Sequence, residues 1–141
     1  MTATAPPARL MLAALLLLFC TSAGAAPFAY ITNQGSHDVS VIDLATQRVV
    51  ASIPVGKSPA GVVASSRAGR TFVSNPDSKT ISVIDMRRQK VVNTLPAGDG
   101  PVGIDISGDG KHLYAADWYS SRLLVFDALA DKASKPLASI A

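Results

Sequence analysis

From residue 28 onward the chain alternates between short apolar runs and polar clusters of Gly, Pro, Asn, Asp and Ser. The runs are rich in Val, Ile and aromatic residues, and turn signals separate them, which predicts strands rather than helices. The pattern places strands at 28–33, 39–43 and 48–53, then at 61–64, 70–75, 80–85 and 90–95. The segments 65–69, 75–78 and 86–89 read as turns, and 96–101, with two prolines and two glycines, crosses to the next unit. The nearest helical rival is 121–130, where Leu123-Leu124-Val125-Phe126 could follow a helical period. Its register with Ile81-Ser82-Val83-Ile84 favours a strand instead.

That register belongs to a repeat. Tyr30-Ile31-Thr32-Asn33, Phe72-Val73-Ser74-Asn75 and Tyr114-Ala115-Ala116-Asp117 stand 42 residues apart. So do Val41-Ile42-Asp43, Val83-Ile84-Asp85 and Val125-Phe126-Asp127. Gly56-Lys57-Ser58-Pro59-Ala60-Gly61 and Gly98-Asp99-Gly100-Pro101-Val102-Gly103 keep the same interval. A fixed period of this size marks a stacked supersecondary unit, and 42 residues in four strands is the size of a β-propeller blade. Blades stack face to face, which explains Val and Ile on both faces of the middle strands. The expected fold is therefore all-β: a partial propeller of four-stranded blades, with a partial blade 1 at 27–53, blade 2 at 54–95 and blade 3 at 96–141. The last copy ends in a fourth strand at 136–140, making 11 strands, just under three blades. Closed propellers use about four to eight blades. One copy would therefore leave two apolar faces open and blade 1 without its innermost strand. The expectation is a fragment of a longer gene, with self-association to complete the ring as the alternative.

Residues 1–26 read as a secretory signal peptide rather than as part of the fold. Arg9 precedes an apolar run at 10–19, and Ala23-Gly24-Ala25 supplies the small residues of a cleavage site, placing cleavage after Ala25 or Ala26. The run is about half of the roughly 20 residues a spanning helix needs, so no membrane span is expected after cleavage. Cys20 is the only cysteine and would leave with the signal. The expected location is periplasmic or secreted, and the mature chain would need no thiol chemistry there. Without Arg9, 12 basic residues face 10 acidic ones, too weak a balance for nucleic acid or an anionic membrane. All the acids are Asp, a turn former, and none is the helix-favouring Glu.

The repeat resembles the YVTN-family β-propeller repeat. Tyr30-Ile31-Thr32-Asn33 nearly reproduces its namesake strand, and Val39-Ser40-Val41-Ile42-Asp43 matches its partner strand. The likeness runs from Pro27 to about Asp127. It implies a secreted or periplasmic propeller whose relatives include haem d1-binding and quinoprotein-associated propellers and surface-layer proteins; propeller lactonases share the general shape. The last copy departs from the pattern, with Asp117 for Asn and Trp118-Tyr119 for Pro76-Asp77.

Local motifs add no catalytic residue and no metal site. The G-x-G-x-x-G at 98–103 is followed by a strand, whereas a dinucleotide site needs a helix there. Residues 105–116 resemble a calcium loop only until Ala116, where a bidentate Glu belongs. His37 and His112 fall at different repeat positions, which argues against a shared metal. His37 alone occupies a loop from which an axial haem ligand or a general base could project, so haem is the one cofactor kept open. In a propeller, the loops after second strands and the crossovers between blades emerge on one face. That face would collect Asn33, His37, Lys57, Asn75, Lys79, Asp99, Asp117, Trp118, Tyr119 and Arg122. Aromatic residues and Arg in loops suit a binding surface. The expected function is a non-enzymatic binding or scaffold module taking a protein or small ligand on this face. The alternative is part of a haem d1- or quinoprotein-associated propeller, or of a lactonase-like hydrolase.

Overall fold

A computed structural model describes residues 27–141; the expected signal peptide, its cleavage site and Cys20 lie outside the described residues. Three antiparallel sheets follow one another along the chain. Blade 1 is β1 (Phe28–Asn33), β2 (Asp38–Asp43) and β3 (Arg48–Pro54). Blade 2 is β4 (Val62–Ser65), β5 (Arg70–Asn75), β6 (Thr80–Asp85) and β7 (Lys90–Pro96). Blade 3 is β8 (Pro101–Ile106), β9 (His112–Asp117), β10 (Arg122–Asp127) and β11 (Ala138–Ile140). Each sheet is a meander in which every strand pairs with its chain neighbour. The 121–130 segment forms β10, and the last strand is shorter than the 136–140 expected.

The strands form where β-branched and aromatic residues recur, and stacking explains why both faces are apolar. From blade 2, Phe72, Ile81, Val83 and Leu95 meet Leu113, Ala115, Leu124 and Phe126 of blade 3. From its other face, Val73 and Ile84 meet Tyr30, Val39, Val41 and Ile53 of blade 1. Phe72, Val73, Ile81 and Ile84 are all wholly buried. Each such side chain contributes roughly 1.5–3 kcal/mol on leaving water. Hydroxyls are less well served at the first junction: Tyr30 and Thr71 are buried near one another without a well-formed hydrogen bond. Burial raises the Tyr30 pKa, a nearby Thr71 lowers it, and the Asp85 charge adds to the rise.

Turn geometry repeats with the sequence. His37, Lys79 and Ser121, 42 residues apart, all have φ between +53° and +59°. The carbonyls of His37 and Lys79 accept the N–H of Val55 at 3.0 Å and of Ala97 at 2.9 Å, anchoring the chain just past β3 and β7, the last strands of blades 1 and 2. The aspartate closing Val-Ile-Asp is a turn cap. Asp43 Oδ1 accepts from the N–H groups of Ala45 and Thr46, and Asp85 Oδ1 from those of Arg88 and Arg87. The Arg88 N–H leads the causes that hold Asp85 below the usual carboxylate range. Two features differ from the plain reading of the sequence. Pro76–Ser78 is a turn of 3-10 helix, started by a proline that has no N–H to lose and closed by the Lys79 N–H on the Pro76 carbonyl. The outer strands β3 and β7 each carry a bulge, which leaves Val50 and Val92 49% and 43% exposed.

These packing differences should separate sharply in urea unfolding. Phe72→Ala is expected to cost about 3–5 kcal/mol by opening a cavity between two blades. Val92→Ala, on the bulged outer strand, is expected to cost about 0.5 kcal/mol or less.

Candidate functional site

Strands alternate in direction, so the β1–β2, β5–β6 and β9–β10 loops and both interblade crossovers reach the same end. Contacts between them fix this arrangement. The Ser58 N–H donates to His37 Nδ1 at 3.0 Å, the Lys57 N–H donates to Ser78 Oγ, and Ser58 Oγ donates to Asp77 Oδ2. Lys79 Nζ pairs with Asp99 Oδ1 at 2.9 Å, and the Trp118 N–H donates to the Gly100 carbonyl at 2.9 Å. The Lys79–Asp99 pair is well exposed on both sides, so it contributes little to stability.

The residues expected at this end divide into two groups. His37, Lys57, Lys79, Asp99, Trp118, Tyr119 and Arg122 are exposed. Trp118 and Tyr119 are 74% and 76% exposed. Arg122 Nη1 donates to Ser139 Oγ at 3.0 Å. A shallow groove beside them is lined by Ala116, Asp117, Trp118, Ser121, Arg122 and Leu123. Asn33, Asn75 and Asp117, at the ends of β1, β5 and β9, instead serve the loops. Asn33 Nδ2 donates to Asp38 Oδ1 at 2.7 Å and to Ser40 Oγ at 2.8 Å. The Asn33 bond, followed by one from Ser52, keeps Asp38 below the usual carboxylate range. Asn75 is wholly buried and donates to Ser82 Oγ at 3.0 Å. Asp117 is 3% exposed. Asn75 and Asp117 therefore support this end from within and do not offer polar atoms to solvent.

Asp117 explains its own departure from the repeat. Its carboxylate accepts the N–H groups of Asp99 and Gly100, both at 2.9 Å, and the Ser120 hydroxyl. Burial alone would raise its pKa. The hydrogen bonds from Ser120, Asp99 and Gly100 outweigh that and hold it below the usual range. The two glycines allow the wrap. Gly98 has φ +75°, and a Cβ there would sit 2.0 Å from Asp117 Oδ2. A Cβ on Gly100 would meet the Tyr119 ring at 2.3 Å. The G-x-G-x-x-G string is thus a crossover folded around a carboxylate and a phenol ring. The equivalent crossover in blade 2 is built differently: Ser58, not its first glycine, takes positive φ, and His37 and Ser78 take the N–H groups that Asp117 takes in blade 3.

His37, Ser58 and Asp77 meet across blades, although their spacing in the chain gives no sign of it. Their hydrogen bonds are not those of a nucleophilic triad. The Ser58 hydroxyl donates to Asp77, while His37 Nδ1 accepts a backbone N–H, so no imidazole nitrogen receives the serine proton. The set ties loops together. His112 begins β9 at the opposite end from His37. Among the described residues no group of three or more His, Cys, Asp or Glu could hold a metal ion, and no helix is long and apolar enough to cross a membrane. One groove escaped sequence reasoning: Pro54, Val55 and Gly56 of blade 1's exit face Ser78, Thr80, Ser82, Val91 and Thr94 of blade 2. Its hydroxyl residues, Ser78 in the turn after β5 and three on strands, have no motif to mark them.

The family model for YNCE-like beta-propellers matches residues 68–139. The chain belongs to this family. Hydrazine synthase of Kuenenia stuttgartiensis is similar at 29% identity and a TM-score of 0.70, over 77% of this chain and 31% of that one. The dihydro-heme d1 dehydrogenase NirN, in complex with DHE, is similar at 19% identity and a TM-score of 0.70, over 86% of this chain and 25% of that one. A PE-PGRS family protein of Mycobacterium tuberculosis is 52% identical over 40 residues, 28% of this chain and 9% of that protein. The chain thus spans a third or less of the length of each of these relatives. At 19% identity the NirN likeness speaks to the fold alone. Together these likenesses make the chain a YVTN-like β-propeller piece, as its repeat suggests.

The Asp117 anchor should be visible in pH-dependent unfolding. Its folded pKa is lowered, so its stabilisation is complete above the unfolded carboxylate value, about 3.9, and is lost as pH falls through the folded value. Asp117→Ala should therefore cost about 1.5–3 kcal/mol at neutral pH, and the gap to the parent should narrow below about pH 4. Denaturant titrations at several pH values check this; a gap that stays constant down to acid pH would contradict it.

Proposed function

We propose that the chain is a non-enzymatic binding or scaffold module of a periplasmic or secreted propeller, taking a protein or small ligand at its loop end. The observation that carries this reading is the adjacent pair Trp118 and Tyr119, each about three-quarters exposed, beside Arg122 and a groove. Burying two aromatic rings against a partner is a large source of affinity, and an adjacent guanidinium adds stacking or a charge-assisted hydrogen bond. The Trp118 N–H bond to Gly100 and the packing of Tyr119 on Gly100 hold this loop in place before any ligand arrives. A rigid loop loses less entropy on binding. Lys57, Lys79 and Asp99 extend the same end with charges of both signs, which suits a polar partner rim.

A haem reading has one observation in its favour. His37 is exposed at this end, although its Nδ1 accepts the Ser58 N–H, which puts the neutral ring's proton on Nε2, so iron ligation would require loss of that proton or of the Ser58 bond. Haem titration of the parent and of His37→Ala tests it directly: a Soret band that needs His37 would replace the binding-module reading.

Arrays of peptides and glycans probed with the labelled chain test the main proposal. A ligand found this way should lose at least tenfold in affinity in Trp118→Ala, about 1.4 kcal/mol or more. It should bind Arg88→Ala, altered at the opposite end, as it binds the parent. Equal losses in both variants, or none in Trp118→Ala, would contradict the loop-end site.

A further inference from the structure

His37 holds the crossover from blade 1 to blade 2 through an atom whose hydrogen-bonding role depends on its charge. Its Nδ1 accepts the Ser58 N–H at 3.0 Å. Only a neutral imidazole can do this, because both ring nitrogens of an imidazolium are donors. Histidine side chains in general change charge between about pH 5 and 8. Protonation would therefore set one N–H against another and end the bond. The charged groups around this contact are Asp38 beside His37, Lys57 beside Ser58, and Asp77, whose carboxylate accepts the Ser58 hydroxyl. Either carboxylate can take an imidazolium N–H, which gives the released ring a new partner.

Ser58 is a place where losing one bond has an effect. Its φ is +56°, a conformation that a residue other than glycine seldom keeps without support. Its repeat-mate is Gly100, whose N–H donates to Asp117 Oδ1 at 2.9 Å. Hydrogen bonds from Ser120, Asp99 and Gly100 overcome the burial of that carboxylate and hold its pKa below the usual range. The same N–H is thus held at one junction by an acceptor that protonates near neutrality and at the other by one that stays an anion. The effect would be local. The Val55 N–H on the His37 carbonyl, at 3.0 Å, and the Ala60 N–H on the Ser74 carbonyl, at 2.9 Å, fix the crossover on either side without using an imidazole. The Thr32 hydroxyl on the Ala60 carbonyl, at 3.0 Å, adds to the second anchor. Between these anchors lie Lys57 and Ser58.

We infer that His37 and Ser58 form a pH-sensitive latch on the blade 1–blade 2 crossover. The latch is closed when His37 is neutral. Protonation opens it, freeing the Lys57–Ser58 peptide to turn and moving the exposed Lys57 at the loop end. The Asp117-anchored crossover that carries Tyr119 against Gly100 stays as it is, so acid alters one part of the loop end and leaves the other. All the groups of the latch lie within the described residues of blades 1 and 2 and the crossover between them. This inference does not depend on the ligand-binding reading of the loop end.

Amide–solvent exchange measured by NMR tests it, on the parent and on His37→Asn. The asparagine Oδ1 takes the place of Nδ1, accepts an N–H without titrating, and suits the φ of +59° at this position. In the parent, protection of the Ser58 amide, corrected for intrinsic exchange, should fall at least about tenfold from pH 8 to pH 5, in step with the His37 ring resonances. Protection of the Gly100 amide should not change over that range. In His37→Asn the pH dependence at Ser58 should vanish, whether the amide is protected throughout or exposed throughout. Constant protection of Ser58 in the parent would overturn the inference. So would an equal fall in His37→Asn, because acid would then act through Asp38 or Asp77, and so would an equal fall at Gly100, which would mean general loosening.

Discussion

The structure depends on one constraint: a blade's middle strands must be covered on both faces. A single four-stranded sheet of this composition could not remain alone in water, because Phe72 and Val83 point one way while Val73 and Ile84 point the other. Stacking resolves this, and the 42-residue period is its consequence in the sequence. Blade 2 is the only one of the three with neighbours on both sides, and in β5 and β6 every residue except Arg70, Thr80 and Asp85 is buried.

Stacking brings loops of successive blades into contact, and there the repeats diverge. Blade 1 meets blade 2 through His37, Ser58, Asp77 and Ser78, which link loop to loop. Blade 2 meets blade 3 through the Asp117 carboxylate inside a glycine-rich crossover. The same structural need, satisfying the N–H groups of a tight crossover, is met once by neutral side chains and once by a buried anion. At the opposite end the tie has the reverse polarity: the Arg70 guanidinium of blade 2 donates to the carbonyls of Ala128 and Ala130, at 2.9 and 2.8 Å, and to Asp131. The stack is therefore regular in its core and individual at its rims, and candidate binding residues lie on a rim.

The fold was legible because burial on both faces leaves a dense signal: Val-Ile-Asp and its mates mark strand and turn together. Legibility ended where the outcome depends on contacts between repeats. The bulges that expose Val50 and Val92 leave no trace in a string of valines, because valine suits either side of an outer strand. Asn75 and Asp117 are polar residues next to turn-formers, which is also how solvent-facing loop residues look; only the packing of Gly56 and Gly98 against them shows that they are interior. Trp118, Tyr119 and Arg122 could be placed correctly at the loop end because position in the repeat determines it. Whether they contact a ligand depends on chemistry outside the chain.

Amide hydrogen exchange on the intact chain tests the central claim most directly. If double-faced burial of blade 2 holds the fold, amides of β5 and β6 should exchange only through global unfolding, with protection approaching the full stability. Those of β11, an edge strand whose three residues are all exposed, should exchange far faster. Protection spread evenly over the three blades, or β5 and β6 exchanging as fast as β11, would contradict the account.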